Sequence, residues 1–296
     1  MDMKTIMTCW RRSVLAALVV VGIAAIGPSR AAAQTVVAQT VAMVTDIEGG
    51  NSVTGMGEST EISLLAELEP GGGIDLAAGA RLVIVYYESG NEFVFTGPAS
   101  IRIGPVAPEL LSGNDPEERQ VMLAGIIQPA GMIQASIVMR GTADNIDIRL
   151  ENLVDTKTLD ARPLFRWKPL PGVTTYQFEI IDDSGDSLAE AEVTATELRL
   201  PEAVTLEVGV IYTWEVAART PDGILHSGWG DFSLATDADR ALVEQMRPPA
   251  DAPFSSRVMF AVVLQQLELR DEAQTFWQSL LAERIDDPAL RQMAGQ

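Results

Sequence analysis

The sequence predicts a mainly β protein with two β domains and a short C-terminal α-helical hairpin. Short apolar runs separated by glycine and proline turns fill most of the chain, and such runs are typical of antiparallel sheets. Near the C terminus the apolar spacing changes to the i, i+3, i+4 pattern of a helix. The predicted boundaries are a signal peptide at 1–33, a β domain at 34–150, a linker at 151–160, a β-sandwich at 161–236 and a helical tail at 237–296.

The N terminus predicts export. Lys4, Arg11 and Arg12 precede the unbroken apolar run Val14 to Ile26, and Ala31-Ala32-Ala33 follows it. This order of basic, apolar and small residues is typical of a secretory signal peptide. The run is shorter than the roughly 20 residues that span a bilayer. We therefore expect cleavage after the alanines and a periplasmic or secreted protein, with retention of the segment as an anchor as the alternative.

The charge balance is strongly acidic, with 21 basic and 41 acidic residues and a net charge of −20. Removal of residues 1–33 takes away four basic residues and one acidic residue, which leaves a net charge of about −23. Such a field repels nucleic-acid phosphates and anionic lipids, so we expect no nucleic-acid partner and peripheral or no membrane contact after cleavage. Cys9 is the only cysteine, and the mature chain therefore has no disulfide and no thiolate ligand.

The first β domain contains a predicted hairpin. Arg81 to Tyr87 is rich in β-branched and aromatic residues, and a glycine turn separates it from a return strand at Glu92 to Thr96. Ser100 to Ile103 is the next predicted strand. We interpret two polar stretches as loops, Gly49 to Gly57 and Ala107 to Gln120. Further strands are predicted at Val121 to Ile127 and Met132 to Met139.

This region resembles the FecR-type periplasmic domain over about Val41 to Ile103. The resemblance is carried by Leu68-x-x-Gly71, Ile74-x-Leu76-x-x-Gly79-Ala80-Arg81-Leu82-x-Ile84 and Glu88-x-Gly90-x-x-Phe93-x-Phe95-x-Gly97-Pro98-x-Ser100. It departs at Ser89, where the family usually has an acidic residue. The resemblance implies a periplasmic role in signalling or ligand sensing. Only about a dozen residues precede the apolar run, too few to hold a sigma factor, so that regulatory role is not implied.

The second β domain shows alternating aromatic residues. Phe165 and Trp167 share one face of a strand, Thr175 to Ile180 alternates, and Gly209-x-x-Tyr212-x-Trp214-x-Val216-x-Ala218 is a long alternating strand. This pattern resembles a fibronectin type III-like module. The resemblance implies that Tyr212 donates its hydroxyl to nearby backbone and that Trp167 is buried between two sheets.

The tail is predicted to be helical. Asp237 to Met246 favours a helix that ends before Pro248-Pro249, and a helical hairpin follows, with Asp271 as the predicted N-cap of its second helix. The second helix has one apolar face, formed by Ala273, Phe276, Trp277, Leu280 and Leu281. The pair resembles one tetratricopeptide-like unit. A single such unit is not stable alone, so we expect it to pack on the neighbouring domain, on a second copy or on a partner.

The residues indicate no catalytic, cofactor-binding or metal-binding site. His226 is the only histidine, and without cysteines it cannot form a usual zinc site. The nucleophile pattern G-x-S-x-G does not occur in the sequence. The oxygen-rich stretch Asp182 to Asp186 lacks the spacing of a strong calcium loop, so we interpret it as a turn, with weak calcium binding as the alternative.

We therefore expect a non-enzymatic envelope protein that binds or scaffolds a protein partner or ligand. The first alternative is a module that binds a cell-wall or capsular polysaccharide. The second, less favoured, is a carboxylate-dependent hydrolase. Strand alternation places one of two adjacent tyrosines outward. The candidate surface contacts are Tyr86, Tyr87, Phe93 and Trp229.

Overall fold

The computed structural model describes residues 40–49, 53–55, 62–121 and 148–296. The predicted signal peptide and the predicted strands at 122–127 and 132–139 lie outside the described residues. In the described part the protein is mainly β, as the sequence predicts, with sixteen strands and four helices.

The first β region consists of two antiparallel sheets that face each other. We call the five-stranded one the covered sheet, and its strand order is β3-β1-β5-β6-β9. Its strands are β1 (Ala42–Glu48), β3 (Glu67–Leu68), β5 (Arg81–Tyr86), β6 (Asn91–Thr96) and β9 (Glu117–Gln120). The opposing four-stranded sheet contains β2 (Val53–Gly55), β4 (Gly73–Leu76), β7 (Ala99–Ile103) and β8 (Pro108–Ser112). An apolar core lies between the two sheets.

The predicted hairpin between β5 and β6 is confirmed. Gly90 has a φ of +69°, which glycine adopts without strain, and its N–H donates to the carbonyl of Tyr86 at 2.9 Å. The two predicted loops are wrong in part, because β2 lies in the first and β8 and β9 lie in the second. The residues of β9 are exposed and polar, so the strand is held by backbone pairing with β6 and carries no apolar signal.

The second β region contains a second five-stranded sheet, which we call the open sheet, and a two-stranded sheet. The strand order of the open sheet is β10-β16-β15-β12-β13. Its strands are β10 (Thr156–Thr158), β12 (Tyr176–Ile181), β13 (Ser187–Val193), β15 (Ile211–Arg219) and β16 (Leu225–Leu234). The two-stranded sheet pairs β11 (Leu164–Arg166) with β14 (Glu197–Arg199).

Aromatic side chains fill the core of this region. The ring centroid of Phe165 lies 4.9 Å from that of Phe178 and 5.0 Å from that of Trp214. Trp167 is buried in the same core, as expected. The Tyr212 hydroxyl does bond to nearby backbone, but with the opposite polarity, because it accepts from the N–H of Glu207 at 2.7 Å.

The stretch expected to be a linker is partly a strand. Thr156–Thr158 forms β10 and pairs in parallel with β16. Just before it, the carbonyl of Leu153 accepts from the indole N–H of Trp214 at 2.8 Å. This part of residues 151–160 therefore belongs to the open sheet. Its apolar content is too low for sequence patterning to show a strand.

The tail forms four helices. They are α1 (Asp237–Met246), α2 (Phe254–Gln266), α3 (Arg270–Glu283) and α4 (Pro288–Met293). The predicted bounds of α1 are confirmed, and a capping box between Thr236 and Asp239 starts the helix. The predicted N-cap of α3 is wrong, because Leu269 occupies that position and the Asp271 carboxylate instead accepts from the N–H of Leu153 at 2.8 Å.

The tail packs on the protein's own β regions, mainly on the covered sheet of the first one rather than on the β-sandwich that directly precedes it in the chain. Met43 of β1, Val85 of β5 and Tyr87 share one apolar core with Val258 of α2 and Trp277 of α3. The central strands β1 and β5 of the covered sheet are therefore buried on both faces. Among the described residues, none of the helices combines the length and the apolar character needed to cross a bilayer.

Candidate binding surface

Two of the predicted surface contacts lie in the interior of the first β region. Tyr86 is 1% exposed, and its hydroxyl donates to the carbonyl of Gly104 at 3.2 Å. Phe93 is also buried, with its ring edge-to-face against Tyr86 at a centroid distance of 5.6 Å. Burial raises the pKa of the Tyr86 hydroxyl. Both residues face the opposing sheet and cannot meet a partner.

Tyr87 is also buried, although it points away from Tyr86. The strand does alternate, but the face that we expected to meet solvent is covered by the tail helices. Burial raises the pKa of the Tyr87 hydroxyl as well. The prediction that one of the two tyrosines is a surface contact is therefore wrong.

Trp229 is the predicted contact that does reach solvent, with 52% of its surface exposed. It lies on β16 directly opposite Glu215 of β15. Both side chains belong to the outer face of the open sheet, because the residues on either side of each one in its strand are buried. The exposed Ile211 and Leu225 lie on the same two strands and the same face.

Glutamates dominate the rest of this outer face. Glu190 of β13 lies opposite Glu179 of β12, and Glu179 lies opposite Glu215. Trp229 ends this row on the next strand. Glu192 lies beside Glu190 along β13, opposite Gln177. We call the four carboxylates Glu179, Glu190, Glu192 and Glu215 the acidic face.

The charges of the acidic face are not compensated within the described residues. The ion pairs among the described residues use carboxylates other than these four. On the two-stranded sheet, by contrast, Arg166 lies opposite Glu197. Like charges directly opposite each other on a sheet are destabilising. The acidic face therefore costs some stability in the free protein, and a cationic partner would relieve that cost.

The same side chains line a shallow groove of about 450 Å³. It is bordered by the acidic face together with Gln177 and Ala217. Its floor is rigid, because the opposite side of the sheet carries the aromatic core. An open groove on a sheet face suits an extended side chain or a short peptide segment better than an enclosed small molecule.

His226 and the stretch Asp182 to Asp186, which were considered above as possible sites, both occupy positions that a structural role explains. His226 lies within β16, opposite Ala218. Oδ1 of Asp182 accepts from the N–H groups of Ser184 and Asp186, both at 2.9 Å. This carboxylate therefore holds its own turn together. Within the part of the chain that the structure describes, no three side chains of His, Cys, Asp or Glu lie close enough together to form a metal site.

No protein-family model matches the sequence, and no curated protein matches it either. The glutamates were missed at the level of sequence because each occupies an ordinary polar position of an alternating strand. Only the order β13-β12-β15-β16 brings them into one row.

Proposed function

We propose that the protein is a non-enzymatic, exported envelope protein that binds a protein partner on the outer face of the open sheet. The proposal rests on one row of side chains across the sheet, Glu190, Glu179, Glu215 and Trp229. In this row, carboxylates without an ion pair among the described residues lie next to a half-exposed indole. Basic residues of the partner would pair with the glutamates. Trp229 would supply the apolar anchor, a role for which tryptophan is favoured at interfaces.

The mechanism is recognition by a rigid scaffold. Charges of opposite sign steer the partner during diffusion and fix its orientation. Trp229 would slow dissociation once the partner buries its ring. The FecR-type and fibronectin type III-like resemblances belong to the same proposal. The seven strands packed around Trp167 and Trp214 support the second resemblance, and a role in signalling is what the first implies.

Polysaccharide binding by the first domain is less favoured, because it depended on Tyr86, Tyr87 and Phe93, which are buried. A single exposed tryptophan beside glutamates suits a cationic protein surface better than a neutral sugar. A carboxylate-dependent hydrolase is the least favoured function. Its two carboxylates must face each other across a cleft, whereas Glu179 and Glu215 project from one open sheet.

Site-specific photo-crosslinking in cells that produce the protein tests the proposal. A photo-reactive residue is introduced as Trp229→p-benzoylphenylalanine, and the control is Ile285→p-benzoylphenylalanine, at a tail residue that is 69% exposed. We expect a discrete crosslinked protein from position 229 and not from position 285. Adding Glu179→Lys and Glu215→Lys should reduce that product about tenfold or more, because cationic contacts become repulsive.

Two outcomes would contradict the proposal. One is the absence of a discrete product at position 229. The other is a product whose yield is unchanged by the two charge reversals, since that partner would not be reading the glutamates. Mass spectrometry of the purified chain also tests export, because cleavage after Ala33 leaves Gln34 as the first residue.

A further inference from the structure

The open sheet has one free edge. Its strand order places β10 at one end and β13 at the other. The β10 end is covered by the tail, because the N–H of Lys157 donates to the carbonyl of Glu268 at 2.8 Å. The β13 end has no pairing partner among the described residues. One side of the β13 backbone therefore presents N–H and C=O groups that another strand could bond.

This edge is longer than the other sheet edges in the described part. The edge strand β13 has seven residues, whereas the edge strands β3, β9, β2 and β8 have two, four, three and five. Short edge strands are one way in which proteins avoid unwanted pairing. A seven-residue edge is long enough to pair with a partner strand of average length.

The side chains of β13 alternate in chemistry as well as in direction. Glu190 and Glu192 project on the outer side, where they form half of the acidic face. Ala189, Ala191 and Val193 lie opposite the buried Ile180, Phe178 and Tyr176 and are partly buried. A strand added at this edge would therefore meet carboxylates on one of its faces and small apolar side chains on the other.

We propose that the β13 edge accepts an extended segment of the partner as an additional strand, with Lys or Arg at alternate positions and apolar residues between them. This inference rests on the proposed function and names the chemistry of the bound segment. Directly opposed charges of opposite sign stabilise a strand pair. The backbone bonds supply affinity, and the alternate side chains supply specificity, as in other cases of strand addition.

Alignment with the acidic face favours this edge. Neighbouring strands lie about 4.8 Å apart, so the basic residues of an added strand would continue the row Glu190, Glu179 and Glu215 by one step. The segment would thereby add positive charge at the β13 end of the row, where neither Glu190 nor Glu192 belongs to an ion pair among the described residues. A run of consecutive basic side chains would place half of its charge on the apolar side.

Peptide binding to the purified chain tests the inference. The probe is a fluorescein-labelled peptide of four lysines alternating with four valines, and the control has the same residues as a lysine block followed by a valine block. Fluorescence anisotropy at low salt measures both dissociation constants. We expect the alternating peptide to bind about tenfold or more tightly than the block peptide, because only alternation presents one basic and one apolar face.

Two further comparisons separate strand addition from simple charge attraction. Glu190→Gln with Glu192→Gln should weaken binding of the alternating peptide about tenfold, whereas Glu197→Gln with Glu207→Gln should change it less than about twofold. N-methylation of the lysines and N-methylation of the valines block opposite backbone edges of the peptide. One of these two modifications should abolish binding and the other should preserve it.

Equal binding of the alternating and block peptides, or insensitivity to both N-methylated forms, would overturn strand addition at β13. If binding then falls with Glu179→Gln and Glu215→Gln, the acidic face still recognises cations and the proposed function stands. Absence of a discrete crosslinked product at position 229, with all four glutamates in place, is a separate result, and it counts against the proposed function itself.

Discussion

The covered sheet and the open sheet have the same number of strands but opposite surroundings. Core side chains lie on both faces of the covered sheet, towards the four-stranded sheet on one side and the tail helices on the other. The open sheet has a core on one face only, and its other face carries glutamates and Trp229. Burial on the first sheet thus serves stability, and the free face on the second is where binding can occur.

The amino-acid patterns reflect this difference. In β5, Leu82 to Tyr86 is a continuous apolar run and every residue in it is buried. In β15, buried and more exposed residues alternate along Ile211 to Arg219. Continuous apolar strands are typical of sheets buried on both faces, and alternating strands of sheets with one solvated face. The continuous run Leu82 to Tyr86 therefore fits a sheet that is covered on both faces.

Introducing one lysine into each sheet should give the largest difference between them in the free energy of unfolding. Val85 of β5 faces the tail and is 0% exposed, so Val85→Lys buries an unpaired ammonium. We expect a loss of more than about 4 kcal/mol in the free energy of unfolding, and failure to fold if the protein is of ordinary stability. Ala217→Lys on the outer face of the open sheet should change it by less than about 0.5 kcal/mol. Urea unfolding followed by circular dichroism measures both, and similar losses would contradict the contrast between the sheets.

An ion pair ties the tail to the covered sheet and should have the next largest effect. Asp46 of β1 is 3% exposed, and its carboxylate pairs with Arg81 and with Arg284, whose Nη2 lies 2.7 Å from Oδ1. The Arg284 guanidinium also lies 3.6 Å from the ring centroid of Phe254 and donates to the carbonyl of Ile47. Arg284→Ala leaves the buried carboxylate with one partner, so we expect a loss of about 2–3 kcal/mol.

The matched control for that variant is Arg291→Ala. Arg291 pairs with Asp286, and both side chains are largely exposed, so the loss should be below about 0.5 kcal/mol. Equal urea midpoints for the two variants would mean that the ion pair at Asp46 does not hold the tail on the sheet.

The stability of the contact between α3 and the residues on either side of β10, Leu153 and Leu159, should depend on pH. Burial raises the pKa of Glu272, whose Oε1 accepts from the N–H of Leu159 at 3.4 Å and whose Oε2 has no partner among the described residues. The pKa of Asp271 is raised by burial too. The folded state therefore holds these protons to higher pH than the unfolded chain does. Stability from this source is fully present below the unfolded pKa and is lost as pH rises through the folded pKa.

Glu272→Gln should remove part of that pH dependence. We expect a gain of about 1 kcal/mol in the free energy of unfolding at neutral pH, because a charged group no longer has to be buried. The slope of stability against pH above 4.5 should also become flatter. A steeper slope, or a loss at neutral pH, would mean that the carboxylate is stabilised by its surroundings.

Local patterns predicted the elements whose signals lie within a few residues. The bounds of α1 follow from Thr236, Asp239 and the prolines after it, and the β5–β6 hairpin follows from its glycine turn. Strands such as β9 and β10 were missed because pairing, and not apolar content, holds them in their sheets. The burial of Tyr87 depends on the tail, which lies well over a hundred residues further along the chain. No local pattern could show it.

The smallest expected change in stability gives the sharpest test of the open sheet. Glu179→Gln with Glu215→Gln removes two like charges that lie directly opposite each other, so the free protein should become more stable by about 0.2–1 kcal/mol. The same pair of changes should reduce the yield of the crosslink from the photo-reactive residue at position 229, because the partner loses two anionic contacts. Ser233→Ala, at a neutral position of the same face outside the groove, should leave both quantities nearly unchanged. A stability gain together with a loss of binding is the signature of residues kept for recognition at the expense of the fold. A loss of both would show that the carboxylates stabilise the sheet itself.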